Sequence, residues 1–119
     1  MSVRSKNIYE APAPEDGRRL LVMRKWPRGI PKSKVDAWEK DLGPSLALLE
    51  EWRRGKISWA EFSRRYTQEV TSQPHLLQDI ANRARTQTVT LLCNCRDENT
   101  CHRTLLQGII TSYFAQDRG

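Results

Sequence analysis

Three cysteines, a histidine and an arginine crowd into one short stretch: Cys93, Cys95, Cys101, His102 and Arg103. Residues of these types support thiolate chemistry, anion binding or metal ligation. Cys101 is the thiol expected to ionise most readily, because it falls at a predicted helix N-terminus beside His102 and Arg103, where backbone amides and cations favour a negative sulfur. Such a thiolate is a candidate nucleophile or redox centre. Cys93, inside a predicted strand, reads better as a small buried hydrophobe, and Cys95 stands on the loop edge between the two.

Arg103 and His102 sit awkwardly in a first helical turn, since the positive end of the helix dipole disfavours cations there by about 0.3 to 1 kcal/mol each. Something negative must offset them. Asp97 and Glu98 in the preceding loop supply one answer. A bound phosphate or carboxylate, held by the amides around Thr100 to His102 and by the guanidinium, supplies the other. Both stand at this point, with Asp97 also placed to orient His102 or Arg103.

Cys93, Cys95, Cys101 and His102 also make four candidate zinc ligands, but their spacing is unconventional. One residue separates Cys93 from Cys95, where two to four are usual. Cys101 and His102 are adjacent, and neighbours on a helix diverge by about 100° around its axis. No metal ligand is therefore assigned, and zinc stays an alternative. A phosphatase-type loop also fits poorly, since Asn99 and Cys101 stand six residues after Cys93 and Cys95, where it would need arginine.

These residues need a strand and a helix to hold them. Val89 to Cys93 is almost wholly apolar, the pattern of a strand buried on both faces of a parallel sheet. Leu105, Leu106, Ile109, Ile110, Tyr113 and Phe114 form one wide helical stripe, with Thr100 or Asn99 as N-cap. Arg19 to Lys25, containing Leu20-Leu21-Val22-Met23, predicts a central strand that Trp26-Pro27-Arg28-Gly29-Ile30-Pro31 ends sharply. If the two strands are parallel neighbours, their following loops meet at the carboxyl edge, where open α/β sheets bind ligands. Arg24, Lys25 and Arg28 would then face Cys95, Cys101 and Arg103 across a crevice. Trp26 would wall it, although Trp26 taken singly reads better as core and Lys25 as solvated rim.

The remainder reads as scaffold. Ser2 to Tyr9 is a short strand, and the prolines and glycine of residues 11–17 make a loop. A helix is expected over Lys34 to Leu42, with Val35, Trp38 and Leu42 on one face. Ser45 caps the next, which packs Leu46, Leu48, Leu49 and Trp52 inward until Gly55. Ser58-Trp59-Ala60-Glu61 is a capping box opening a helix with Trp59, Phe62, Tyr66 and Val70 on its stripe. Pro74 opens another, carried by Leu76, Leu77, Ile80, Ala81 and Ala84, with His75 on the surface.

With 119 residues, the chain makes one domain, 1–119, able to bury roughly two thirds of its unfolded surface. Its net charge of +6 favours anionic partners. A small anion fits best; a nucleic-acid-binding module is the competing reading, opposed by four tryptophans that fall mostly on apolar helical faces. An odd number of cysteines and no secretory leader point to a reducing cytoplasm, and no apolar run is long enough for a membrane.

Asp16 to Gly29 with its Trp-Pro-Arg-Gly loop, Trp38, Leu42-Gly43-Pro44-Ser45, the Phe62 and Tyr66 pair, and Thr90-Leu91-Leu92-Cys93 followed by Arg96-Asp97 together resemble the YeaO-like family, domain of unknown function 488. Cys101-His102-Arg103 is similar to a Cys-His-Arg run that follows the last core strand in the wider family. The resemblance covers nearly the whole chain and implies a compact cytoplasmic α/β domain with a pocket between the two loops. It implies no activity or cofactor. Met23 stands where an acidic residue is expected, and Lys25 where leucine is common.

The sequence thus predicts a three-layer α/β domain with a short, mostly parallel sheet flanked by helices. A small phosphate- or nucleotide-like anion would bind at its carboxyl edge. Arg28 and Arg103, with Arg24 and Thr100, would hold the anion; Cys101, His102 and Asp97 are the candidate catalytic groups. No cofactor is expected.

Overall fold

The computed structural model describes residues 2–95 and 100–117, with side chains through Tyr113. Four strands, β1 (Ser2–Asn7), β2 (Arg18–Leu21), β3 (Ala37–Trp38) and β4 (Thr88–Cys93), pair in the order β1-β4-β2-β3. Every pairing is parallel. The register sets Asn7 opposite Cys93 and Leu21 opposite Leu92, so β1, β2 and β4 all end at one edge. The expected neighbour relation of β2 and β4 is therefore present.

The described residues also form four α-helices, α1 (Leu46–Arg53), α2 (Trp59–Thr71) and α3 (Pro74–Ala84) between β3 and β4, and α4 (His102–Asp117) after β4. Their caps are those the residues dictate. The Ser45 hydroxyl accepts from the Leu48 amide, the Ser58 hydroxyl accepts from the Glu61 amide, and Pro74 opens α3. Phe62, Tyr66, Val70, Leu77, Ile80, Ala84, Leu106 and Ile110 pack against Val3, Leu20, Val89 and Leu91 on one face of the sheet. On the other face lie Ile8, Leu21 and Leu92, covered by Ile30, Trp26 and Val35 from the loop after β2. The α/β architecture is as expected, with a thinner layer of loop and 3-10 turn on the second face.

The segment 34–42 is not the expected helix. It forms a 3-10 turn at Lys32–Lys34, the two residues of β3, and another 3-10 turn at Lys40–Leu42. The open edge of β2 captures it: Asp36 donates to the Arg19 carbonyl at 2.8 Å and Glu39 to the Leu21 carbonyl at 2.9 Å. The Asp36 carboxylate accepts from the Arg19 amide, and the Trp38 indole donates to the Met23 carbonyl. Pairing an edge whose amides and carbonyls lack partners outweighs a weak local helix preference. The regular part of β2 is also shorter than Arg19 to Lys25, although Val22 still donates to the Leu92 carbonyl beyond its end. Among the described residues, no helix is long and apolar enough to cross a membrane.

Candidate functional site

Strand β4 delivers Cys93 at its last position, and Cys95, two residues beyond its end, joins it in one cluster. The Cys95 carbonyl is pinned from two directions, by the Asn7 side-chain amide at 2.8 Å and by Arg103 at 3.2 Å. Helix α4 starts at His102, one residue later than expected, so Cys101 lies at its entry rather than inside its first turn. Cys101 is consequently free of the helical divergence that would point it away from His102.

The outcome is one compact cluster. The ligand-capable atoms of Cys93, Cys95, Cys101 and His102 all lie within 4.8 Å of one another. The Cys93 and Cys101 sulfurs approach to 2.7 Å. Arg103, only 5% exposed, donates to the Cys93 sulfur at 3.1 Å and to the Cys101 sulfur at 3.4 Å. Its Nε is buried without a partner among the described residues. A ladder of rings backs the cluster: Trp59 stacks on Phe62, Phe62 on Tyr66, and Tyr66 meets the His102 ring edge-on at 5.6 Å.

The three sulfurs are shifted in opposite directions by one another. Hydrogen bonds from Cys101 and Cys95 draw the Cys93 thiol down to about 2 against the opposing effect of burial. Cys101 is pushed up, first because its hydrogen bond to the Cys93 thiolate holds its proton. Cys95 is pushed up to about 12: its contact with Cys101 works to lower it, and Cys93 and burial outweigh that. Cys93 is thus lowered while its two neighbours are raised, and Arg103 is the cation in contact with the Cys93 and Cys101 sulfurs.

His102 donates from Nε2 to the Val22 carbonyl at 2.5 Å, because a carbonyl can only accept. Burial lowers its pKa, so the ring is neutral and Nδ1 carries the lone pair. This removes one of the two cations that seemed misplaced at the helix start. The sulfur cluster offsets the other.

Beside the cluster opens a cavity of about 850 Å³. One wall carries Cys95, Thr100, His102 and Asn94; the other carries Arg24, Lys25, Leu46, Leu49, Trp52, Arg53 and Arg54. Arg24 is committed to the Pro44 and Gly43 carbonyls and to Asp41, and Arg54 to Glu50. Lys25 and Arg53 are exposed and have no ion-pair partner among the described residues. Arg28 is exposed in the loop after β2 and does not line this cavity; its carbonyl accepts from the Tyr9 hydroxyl. Asp97 lies outside the described residues.

Helix α1 was expected to be scaffold only. It turns Leu46, more than half exposed, outward into the cavity with Leu49, Trp52 and Arg53. Its sequence does hold a signal, since Leu46, Leu49 and Arg53 recur at helical spacing on one side. Trp26 follows its core reading, donating to the Ile30 carbonyl and packing edge-on to Trp38.

Parallel strands whose carboxyl edge carries the polar and sulfur-bearing groups define an α/β domain of the kind that places its working residues outside the strand ends. Residues 3–113 match a family model described as "Active DUF488-N3 subclade", and the chain belongs to that DUF488 family. It is 31% identical over 108 residues to "Uncharacterized protein YeaO" of Escherichia coli K12, spanning 89% of this chain and 94% of that one. It is 41% identical over 70 residues to "Uncharacterized protein Rv3073c" of Mycobacterium tuberculosis H37Rv, spanning 57% of this chain and 59% of that one. The resemblance to the YeaO-like family therefore holds. No solved structure matches the chain.

Proposed function

We propose that the protein binds a small organic anion of nucleotide type, bearing phosphate and a ring, in the crevice at the carboxyl edge of the sheet. One observation carries this reading. The cavity of about 850 Å³ joins two uncommitted cations, Lys25 and Arg53, to an apolar wall of Leu46, Leu49 and Trp52. Its size falls within the range of small-molecule sites, roughly 300 to 1,000 Å³. Lys25 and Arg53 would meet the phosphate, and Trp52 would meet the ring. Arg24 and Thr100 shape the cavity, whereas Arg103 serves the sulfur cluster behind it and Arg28 stands apart.

In this reading Cys95 is the sulfur a bound ligand meets, since it lines the cavity, and Cys101 supports it from behind. The test is calorimetric titration of the full chain with inorganic pyrophosphate and with ADP. Binding of ADP is expected, weakened at least about tenfold in the Lys25→Ala, Arg53→Ala double variant, the loss of roughly one charged hydrogen bond. Equal binding by the double variant would sink the assignment. So would a single-stranded oligonucleotide bound far more tightly than ADP with a steep salt dependence, which is the signature of the nucleic-acid alternative.

A further inference from the structure

The sulfur cluster has the composition and geometry of a metal centre. We propose that Cys93, Cys95, Cys101 and His102 together bind one Zn²⁺ ion in a tetrahedral three-cysteine, one-histidine site. This does not depend on the anion reading.

Four observations carry it. The four donor atoms already lie within 4.8 Å of one another. A tetrahedron with zinc-sulfur bonds of about 2.3 Å and zinc-nitrogen bonds of about 2.0 Å has edges of about 3.5 to 3.8 Å, so the cluster has the right size. The close Cys93 and Cys101 sulfurs need only part by about 1 Å to admit the ion.

The histidine is held as metal-binding histidines are. Its Nε2 proton is donated to the Val22 carbonyl, which orients the ring and leaves the Nδ1 lone pair for a metal.

The charge also balances. Three thiolates, a neutral imidazole and Zn²⁺ sum to one negative charge, and Arg103 supplies one positive charge in contact with the Cys93 and Cys101 sulfurs. A buried guanidinium whose Nε has no partner among the described residues is accounted for by an anionic centre beside it.

The spacing objection also disappears in three dimensions. The sulfurs of Cys93 and Cys95 lie within reach of one another despite the single residue between them, and Cys101 precedes α4 rather than lying within it. Thiolate donors select zinc over magnesium or calcium, and one histidine among three cysteines suits zinc better than an all-cysteine iron-sulfur cluster. With four protein ligands the site is of the closed, structural kind, tying the end of β4 to the start of α4.

The test is metal content of the full chain, purified under reducing conditions and reconstituted with zinc, by native and then denaturing mass spectrometry. One zinc per chain, lost on denaturation, is expected. Cobalt substitution should give the intense visible bands of tetrahedral cobalt and a sulfur-to-metal charge-transfer band. Cys95→Ser, at the half-buried position, should weaken cobalt affinity at least tenfold, as should Cys101→Ser. A wild-type chain without metal after reconstitution, an octahedral cobalt spectrum, or unchanged affinity in folded Cys95→Ser would each overturn the proposal. If both variants misfold, the wild-type metal content and spectrum still decide. The Lys25→Ala, Arg53→Ala variant should keep its zinc, so a failure of anion binding and a failure of metal binding are told apart.

Discussion

Tyr66, behind the sulfur cluster, and Gly17, beside the first residue of β4, show how tightly single groups are held. Tyr66 is fully buried, and its hydroxyl donates to the Leu42 carbonyl at 2.6 Å, joining α2 to the 3-10 turn before α1. Tyr66→Phe leaves that carbonyl without its donor, and urea denaturation should show a loss of about 1 to 3 kcal/mol. Gly17 has φ +61°, and a Cβ there would lie 2.2 Å from the Thr88 carbonyl oxygen. Both the left-handed backbone and the contact resist a side chain. Gly17→Ala should therefore lower the thermal midpoint, with a cost above about 1 kcal/mol, because β2 and β4 must separate locally to admit it.

At the scale of elements, the 3-10 turn Pro14–Asp16 is fastened to the sheet by one carboxylate. Asp16, 1% exposed, accepts from the Ala13 amide and Lys6 at 3.0 and 3.1 Å, and from Arg19 across a buried ion pair. Burial raises its pKa, but the Ala13 amide, Lys6 and Arg19 together outweigh burial and hold it below the ordinary 3.8. A folded pKa below the unfolded one means the stabilisation is fully present above the unfolded value and is lost as pH falls through the folded value. Stability measured in urea should therefore drop as pH is lowered below about 4, and Asp16→Asn should flatten that dependence. At neutral pH Asp16→Ala should cost about 3 to 5 kcal/mol, since it leaves the Arg19 charge buried and unpaired.

On the scale of the molecule, the crevice draws on three stretches well separated along the chain. The loop after β2 supplies Arg24 and Lys25, α1 supplies Trp52 and Arg53, and the end of β4 and the start of α4 supply Cys95 and His102. Lys25 and Arg53 are solvent-exposed, so binding of a phosphate-bearing ligand should weaken as salt rises through physiological ionic strength, in step with a Debye length that falls below about 8 Å. Removing the proposed zinc should act on the whole domain as well. A chelator-treated chain should unfold at a lower temperature than the reconstituted one, and the gap should grow with free zinc as mass action requires.

Local chemistry alone determined most of the elements. The hydroxyls of Ser45 and Ser58, Pro74, and the apolar run of Val89 to Cys93 each specify their element through forces acting within a few residues. The same local reading singled out Cys93, Cys95, Cys101 and His102, which the fold brings into one cluster. What it missed depends on distant partners. Lys34 to Leu42 carries a helical pattern, yet the unpaired edge of β2 makes it strand and 3-10 turn. Leu46 looks like a core residue and is exposed in the crevice, because the interior position on α1 belongs to Leu48. Cys93 looks like an inert hydrophobe, yet Cys101 and Arg103 converge on its sulfur and its pKa is lowered once β4 and α4 are docked. The side-chain period of a strand or helix is written in the sequence. Which sulfur meets which cation, and which helix face meets a cavity instead of a core, is settled by contacts between residues far apart along the chain.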